Sequence, residues 1–200
     1  IAPVLRLGAV CAGGLALGFA LETQTISLFG NNVLTSSSWG NARNNTNVQE
    51  VIAHELAHQW WGNLITCENW NHFWLNEGFA TFMSAAYNEH RFGKEKYDAD
   101  IASYSSVYKA ISDSGKGKPL VFKNWSNPTK DDRNLVYFKG SYVLHLLRAE
   151  LGEQKFWNGI KSYSQKYFGK SVTTLEFQKA MEEASGQNLN KFFYKWVYDR

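Results

Sequence analysis

The sequence predicts an α+β fold in which a small β portion, about residues 1–47, precedes a predominantly helical lobe, about residues 48–200, with a cleft between them. Three observations lead there. The first forty residues show strand and loop character rather than a helical period. From Val48 onward, apolar residues recur at helical spacing in runs separated by breakers. With 200 residues, 44% hydrophobic and 16% aromatic, the chain is long enough for one sizeable core and too apolar for the disordered class.

Each element follows in turn. Val4 to Leu21 is apolar, but Arg6 and interruptions at Pro3, Gly8, Gly13, Gly14 and Gly18 make it a poor membrane span, and it reads as buried strands and turns. Thr23, Thr25, Ile26 and Leu28 suit a strand, and Gly40 to Asn47 is a polar turn region. Val48, Val51, Ile52, Leu56 and Trp60 form an apolar stripe that predicts a helix with a buried side. Glu50 reads as a charge favoured near the N-terminus of that helix. A second helical pattern begins near Trp74 and carries Leu75, Phe79, Phe82, Met83 and Ala86. The polar stretch from Cys67 to His72 lets the two helices run antiparallel. Ile101, Tyr104, Val107, Tyr108 and Ile111 make a further stripe, ended by Ser114-Gly115-Lys116-Gly117-Lys118-Pro119. Asn124 to Asp132 reads as a loop, followed by a helix with Tyr137, Val143, Leu144 and Leu147. Phe156, Trp157, Ile160, Tyr163 and Tyr167 predict another helix, and Thr173 with Glu176 forms a capping box for the next.

The chemistry concentrates in His54-Glu55-Leu56-Ala57-His58. Two histidines four apart on a helix differ by roughly 40° around its axis, so both imidazoles leave one face and can bind one metal ion. Glu55 lies on the shoulder of that face, where a carboxylate reaches water at the metal without coordinating, as a general base must. Glu77, early in the second helix, completes three protein ligands with an open fourth position, the pattern of a catalytic zinc site. His72, His90 and His145 have no partner at ligand spacing and read as packing or solvated histidines. Gln59 and Asn76 flank ligands and are candidates for orienting them.

The His54–Asn63 run HELAHQWWGN, eighteen residues between His58 and Glu77, and the run Trp74-Leu75-Asn76-Glu77-Gly78-Phe79-Ala80 resemble the M1 family of zinc aminopeptidases, a gluzincin group. The resemblance implies a thermolysin-like catalytic domain holding one Zn2+ on His54, His58 and Glu77, with Glu55 as general base. Tyr137-Phe138-Lys139-Gly140 matches the family's Tyr-x-Lys-Gly motif, which implies that Tyr137 stabilises the oxyanion of the tetrahedral intermediate. Gly18-Phe19-Ala20-Leu21-Glu22-Thr23-Gln24 is similar to the family's substrate-anchoring strand, with Phe19 in place of glycine and Thr23 in place of asparagine, a variant associated with bacterial members. By that resemblance Ala20 and Glu22 bind substrate, and Glu22 pairs with the free α-ammonium of a peptide, which internal peptide bonds lack. Leu189 to Tyr198 resembles the close of the same domain. Flanking domains are expected on the family pattern, and the chain, which starts at Ile1, reads as an excerpt or a processed portion of a longer protein.

Two other functions fit the residues: a zinc endopeptidase of related architecture, distinguished by the part played by Glu22, and a non-catalytic peptide-binding domain, which would have little chemical need for Glu55 and Tyr137. The 21 basic and 18 acidic residues leave a small positive charge with no long basic run, so nucleic acid is not a supported partner. Cys11 and Cys67 are compatible with two thiols or one disulfide and do not fix a compartment; no signal or transmembrane segment is recognised.

Overall fold

A computed structural model of the chain describes residues 8–11, 20–23, 26–29, 46–123, 125 and 127–199. The predicted α+β class holds, with a three-stranded sheet preceding a helical lobe. Strands β1 (Gly8–Cys11), β2 (Ala20–Thr23) and β3 (Ile26–Phe29) lie in the order β1-β3-β2, with β1 parallel and β2 antiparallel to β3. The single strand expected through Thr23 and Leu28 is instead two. Thr23 faces Ile26 across the antiparallel ladder, and among the described residues β2 is an edge strand with Glu22 in register with Ser27. Thr25, Gly18, Phe19 and the turn region before Thr46 lie outside the described residues.

The lobe is built from α1 (Thr46–Ala57), α2 (Trp74–Phe92), α3 (Lys94–Ile111), α4 (Lys130–Asn134), α5 (Gly140–Leu151), α6 (Glu153–Lys166), α7 (Thr174–Ser185) and α8 (Asn190–Phe193). A short parallel pair, β4 (Thr66–Cys67) and β5 (Ser171–Val172), ties the segment after α1 to the segment before α7. The capping box at Thr173 is present, with Glu176 accepting from the Thr173 N–H at 2.8 Å. A second box shortens the loop expected over Asn124 to Asp132: Thr129 caps α4, and Asp132 accepts from the Thr129 N–H at 2.9 Å. Among the described residues no helix is long and apolar enough to cross a membrane.

The aromatic content goes largely into one core. Phe177 sits edge-on to Phe79 and Tyr163 with ring centroids 5.1 Å from each, and Trp74 and Phe193 close the cluster at 5.9 Å. These geometries favour the ring quadrupoles and clamp α2, α6, α7 and α8 together. Helices α1 and α2 are antiparallel: Gln49 meets Tyr87, Glu50 meets Ser84 and His54 meets Glu77 as one chain rises and the other falls.

The face of α1 that is buried is not the predicted one. Ile52, Leu56 and Trp60 are 44%, 39% and 41% exposed, whereas Glu55, His58 and Gln59 are buried. Bringing the histidines onto α2 turns their face inward, and the apolar stripe, lying off to the side, borders a groove with Met83, Trp157 and Ile160.

Candidate active site

Helix α1 ends at Ala57, but the His58 N–H still bonds to His54 O at 3.2 Å, so the two imidazoles keep their i, i+4 relation. Glu77, in the first turn of α2, meets them. His54 Nε2 and His58 Nε2 are 3.0 Å apart, and each lies 3.2 Å from Glu77 Oε2. This is the single group of three or more potential ligand side chains found among the described residues. The nearly equilateral triangle suits one tetrahedral ion, since metal–ligand bonds of about 2.0–2.1 Å place neighbouring donors about 3.3–3.4 Å apart.

The surroundings prepare these atoms. His58 Nδ1 lies 3.0 Å from Trp61 O; a carbonyl only accepts, so Nδ1 carries the proton and Nε2 presents its lone pair to the donor triangle. Gly62 makes this possible. It has φ +143°, and a Cβ there would lie 3.0 Å from His58 Nδ1. Burial pushes the Glu77 carboxyl up, but when the imidazoles are protonated and no metal is held, their hydrogen bonds and charge outweigh it and hold the pKa at about 2. Glu55 is buried beside the triangle at 6% exposure.

Tyr137 reaches the site from a segment that packs on α2. It lies in a π-helical segment, Leu135–Lys139, joining α4 to α5, and its ring stacks on His54 with centroids 5.8 Å apart and planes 1° from parallel. A backbone crossing sets this approach. Gly78, next to Glu77, packs on Gly140, three residues after Tyr137, so closely that a Cβ on Gly78 would be 2.9 Å from Gly140 Cα. Lys139 points away from the site. It is buried and donates to Lys118 O at 3.1 Å and Asp199 O at 3.3 Å, and burial lowers its pKa to about 8, although Asp199 opposes the shift.

The other residues singled out in the sequence make the following contacts. Gln59 Nε2 donates to Thr23 O at 3.0 Å and thereby fastens β2 next to the site, and Asn76 Oδ1 accepts from the Cys67 N–H at 3.1 Å and fastens β4; neither contact is to a ligand side chain. Glu50 is the fifth residue of α1, too far in for the dipole role, and accepts from Tyr104 Oη at 2.9 Å. His72 and His145 are packing histidines, on Thr174 Oγ1 and Tyr97 Oη respectively, and His90 is exposed. Cys67 is a free thiol whose pKa burial and the Glu77 charge raise to about 11, against the opposing effect of a backbone hydrogen bond. The Glu22 backbone lies in β2, while its side chain is outside the described residues. Gly62, Gly78 and the Lys139 anchor were missed as contributors. The glycines inside the two motif runs were the available signal for the close approaches.

Two cavities flank the donors and share Ala20 and Tyr137 in their walls. One, of about 590 Å³, is lined by Leu21, Cys67, Trp70, Phe73 and Glu77. The other, of about 440 Å³, contains Glu50, Val51, His54, Glu55 and Thr81. Both are of a size that holds small ligands.

An α+β, thermolysin-like frame with a His-His-Glu donor set defines the gluzincin class of domain. The comparisons with known proteins agree. The model of the peptidase family M1 domain matches residues 16–196, and the chain belongs to that family. It is similar to aminopeptidase N of Lactococcus lactis, 34% identical over 152 residues, covering 74% of this chain and 18% of the relative. A probable aminopeptidase 1 of Saccharolobus solfataricus is 31% identical over 153 residues, covering 75% and 20%. Among solved structures, the M1 zinc metallopeptidase of Deinococcus radiodurans is 26% identical with a TM-score of 0.70, covering 97% of this chain and 39% of that one. A two-domain M1 zinc metallopeptidase bound to L-tryptophan gives 25% and 0.74 with the same coverage. The chain thus spans about a fifth of the length of these curated relatives.

Proposed function

We propose that the chain is the catalytic unit, residues 1–200, of a zinc-dependent aminopeptidase that removes the first residue of peptides with a free amino end. The observation that carries this reading is the convergence of His54, His58 and Glu77 with Glu55 beside them and Tyr137 stacked on His54. The donor triangle fits one Zn2+ with an open fourth position. A zinc ion bound there supplies Lewis acidity, acidifying water and polarising the scissile carbonyl. Glu55 takes the proton of the attacking water, and its buried carboxyl returns it to the departing amine. Tyr137 donates its phenolic hydrogen to the oxygen that gains negative charge. Edge strand β2 receives the peptide as an added strand, with Ala20 in both cavity walls, and Glu22 pairs with the α-ammonium. Relatives named as aminopeptidases support the exopeptidase reading over an endopeptidase. The proposed partners are peptide substrates and, given the share of each relative covered, flanking domains of a longer chain.

A panel of aminoacyl chromogenic amides and their N-acetylated counterparts, with and without chelator, tests the proposal. Free amides are expected to turn over and acetylated ones to resist, with chelator abolishing activity. Equal cleavage of acetylated substrates would leave an endopeptidase, and turnover unaffected by chelator would remove the metal from the mechanism.

A further inference from the structure

The chemistry of the leaving group tells the two cavities apart. The departing amine collects its proton from the group that deprotonated the water, so the leaving nitrogen must come within hydrogen-bond reach of Glu55. The side chain attached to that nitrogen belongs to the second residue of the peptide. Of the two cavities, the 440 Å³ one has Glu55 in its wall and the 590 Å³ one does not. The smaller cavity therefore receives the second residue and the larger one the first.

The smaller cavity has a distinctive wall. Glu50 enters from α1 one turn before His54, accepts from Tyr104 Oη, and has no cation paired with it among the described residues. Burial, together with the charge and hydrogen bond of Glu50, pushes the Tyr104 phenol above its usual range, so it remains a donor and adds no negative charge. Thr81 enters from α2. It is 6% exposed, and its hydroxyl has no hydrogen-bond partner among the described residues, a rare condition for a buried polar atom. Ser84, beside it, is already engaged with Glu50 O and Ala80 O. Among the described residues, a carboxylate without a counter-charge and a threonine whose buried hydroxyl has no partner thus line one space next to Glu55.

We infer that this cavity selects a cationic second residue, lysine or arginine, with Glu50 as counter-charge and Thr81 Oγ1 as hydrogen-bond acceptor. An ammonium or guanidinium brings several donors and no acceptor, which matches this wall. A leucine side chain would desolvate Glu50 without supplying a partner and leave the Thr81 hydroxyl unsatisfied, and a glutamate would be repelled by Glu50 and Glu55. The inference rests on the aminopeptidase reading, because the assignment of the cavity uses the proton transfer by Glu55.

The test compares kcat/KM for the dipeptides Ala-Lys, Ala-Arg, Ala-Leu and Ala-Glu in the zinc-loaded protein, Glu50→Gln and Thr81→Val. Glutamine keeps an acceptor for Tyr104 while removing the charge, and valine keeps the shape of threonine while removing the hydroxyl. The wild type is expected to favour Ala-Lys and Ala-Arg over Ala-Leu by about tenfold or more, with Ala-Glu poorest and the preference shrinking as salt rises. Glu50→Gln should bring the Lys/Leu ratio close to one, and Thr81→Val should lower it by a smaller factor. In parallel, calorimetric Kd values for Ala-Lys and Ala-Leu are measured on Glu55→Gln, alone and combined with Glu50→Gln, where no turnover intervenes. A wild-type ratio near one, or a ratio unchanged in both cavity variants, overturns the inference while leaving the aminopeptidase reading standing. If no dipeptide is cleaved, the aminopeptidase reading fails, and the Kd comparison decides the subsite: tighter Ala-Lys binding that Glu50→Gln abolishes supports it, and equal Kd values overturn it.

Discussion

Replacing Gly140 by alanine puts a methyl group where α5 crosses α2. Its Cβ would lie 3.0 Å from Gly78 Cα and 3.6 Å from Trp74 Cβ. Carbon atoms pack at about 3.5–4.0 Å, so the two helices must part by about 0.5–1 Å, because the atom met at the closest point, Gly78 Cα, is backbone and cannot rotate away. Overpacking of this kind costs about 1–3 kcal/mol. At about 2–4 °C per kcal/mol for a chain of this size, the melting temperature should fall by about 2–12 °C. The consequence for catalysis is larger than for stability, because Glu77 adjoins Gly78 on one helix and Tyr137 lies three residues before Gly140 on the other. A shift of about 1 Å between catalytic groups costs on the order of 10²-fold, so kcat should drop about 10- to 100-fold. Zinc content should be unchanged, because the ligands come from α1, its C-terminal turn and α2. Calorimetry, metal analysis and kinetics on an aminoacyl chromogenic amide measure these three quantities. A lowered melting temperature with wild-type kcat would refute the claim that the crossing sets the position of Tyr137.

Three further outcomes are expected. Glu55→Gln should retain zinc while losing about 10²- to 10⁴-fold in kcat, measured by metal analysis beside kinetics; undiminished turnover would exclude Glu55 as the base. Gly62→Ala should weaken zinc binding about 10- to 100-fold by displacing the His58 to Trp61 hydrogen bond, as read by chelator competition; unchanged affinity would mean the turn accommodates the methyl group. Lys139 has its pKa lowered from 10.5 to about 8 in the folded chain. Between those values the unfolded chain holds a proton that the folded one lacks, so this group makes stability rise with pH across that window and leaves it flat below. Denaturant unfolding of the wild type and Lys139→Met at pH 7 to 10.5 should show the rise in the difference between them, and parallel curves would contradict it.

The donor set was legible because helical geometry is local: a spacing of four puts His54 and His58 on one face whatever the rest of the chain does. The Thr173 capping box was legible for the same reason, its partners being three residues apart. The face of α1 was misread because hydrophobic periodicity locates an apolar stripe without saying what covers it. In this fold the buried side of α1 and of the turn that follows it is taken by Glu55, His58 and Gln59, and Leu56 and Trp60 are left outside. The break between β2 and β3 was missed because a run of strand-forming residues carries no mark of where it folds back on itself. Glu50 was misassigned, and the contact of Gln59 to β2 was missed, because their partners, Tyr104 and Thr23, are 54 and 36 residues away.

By itself, then, the sequence determined the family, the α+β class and the set of side chains able to bind a metal, since these depend on residue identity at short spacing. The tertiary structure decided how those side chains meet: Glu77 against two imidazoles, Tyr137 over His54 by way of two glycines, and β2 fastened to α1 by Gln59. It also decided that Glu50 and Thr81 share a cavity with Glu55. Each of these contacts joins residues far apart in the chain, and their distances are set by the packing of whole helices and strands rather than by any local preference.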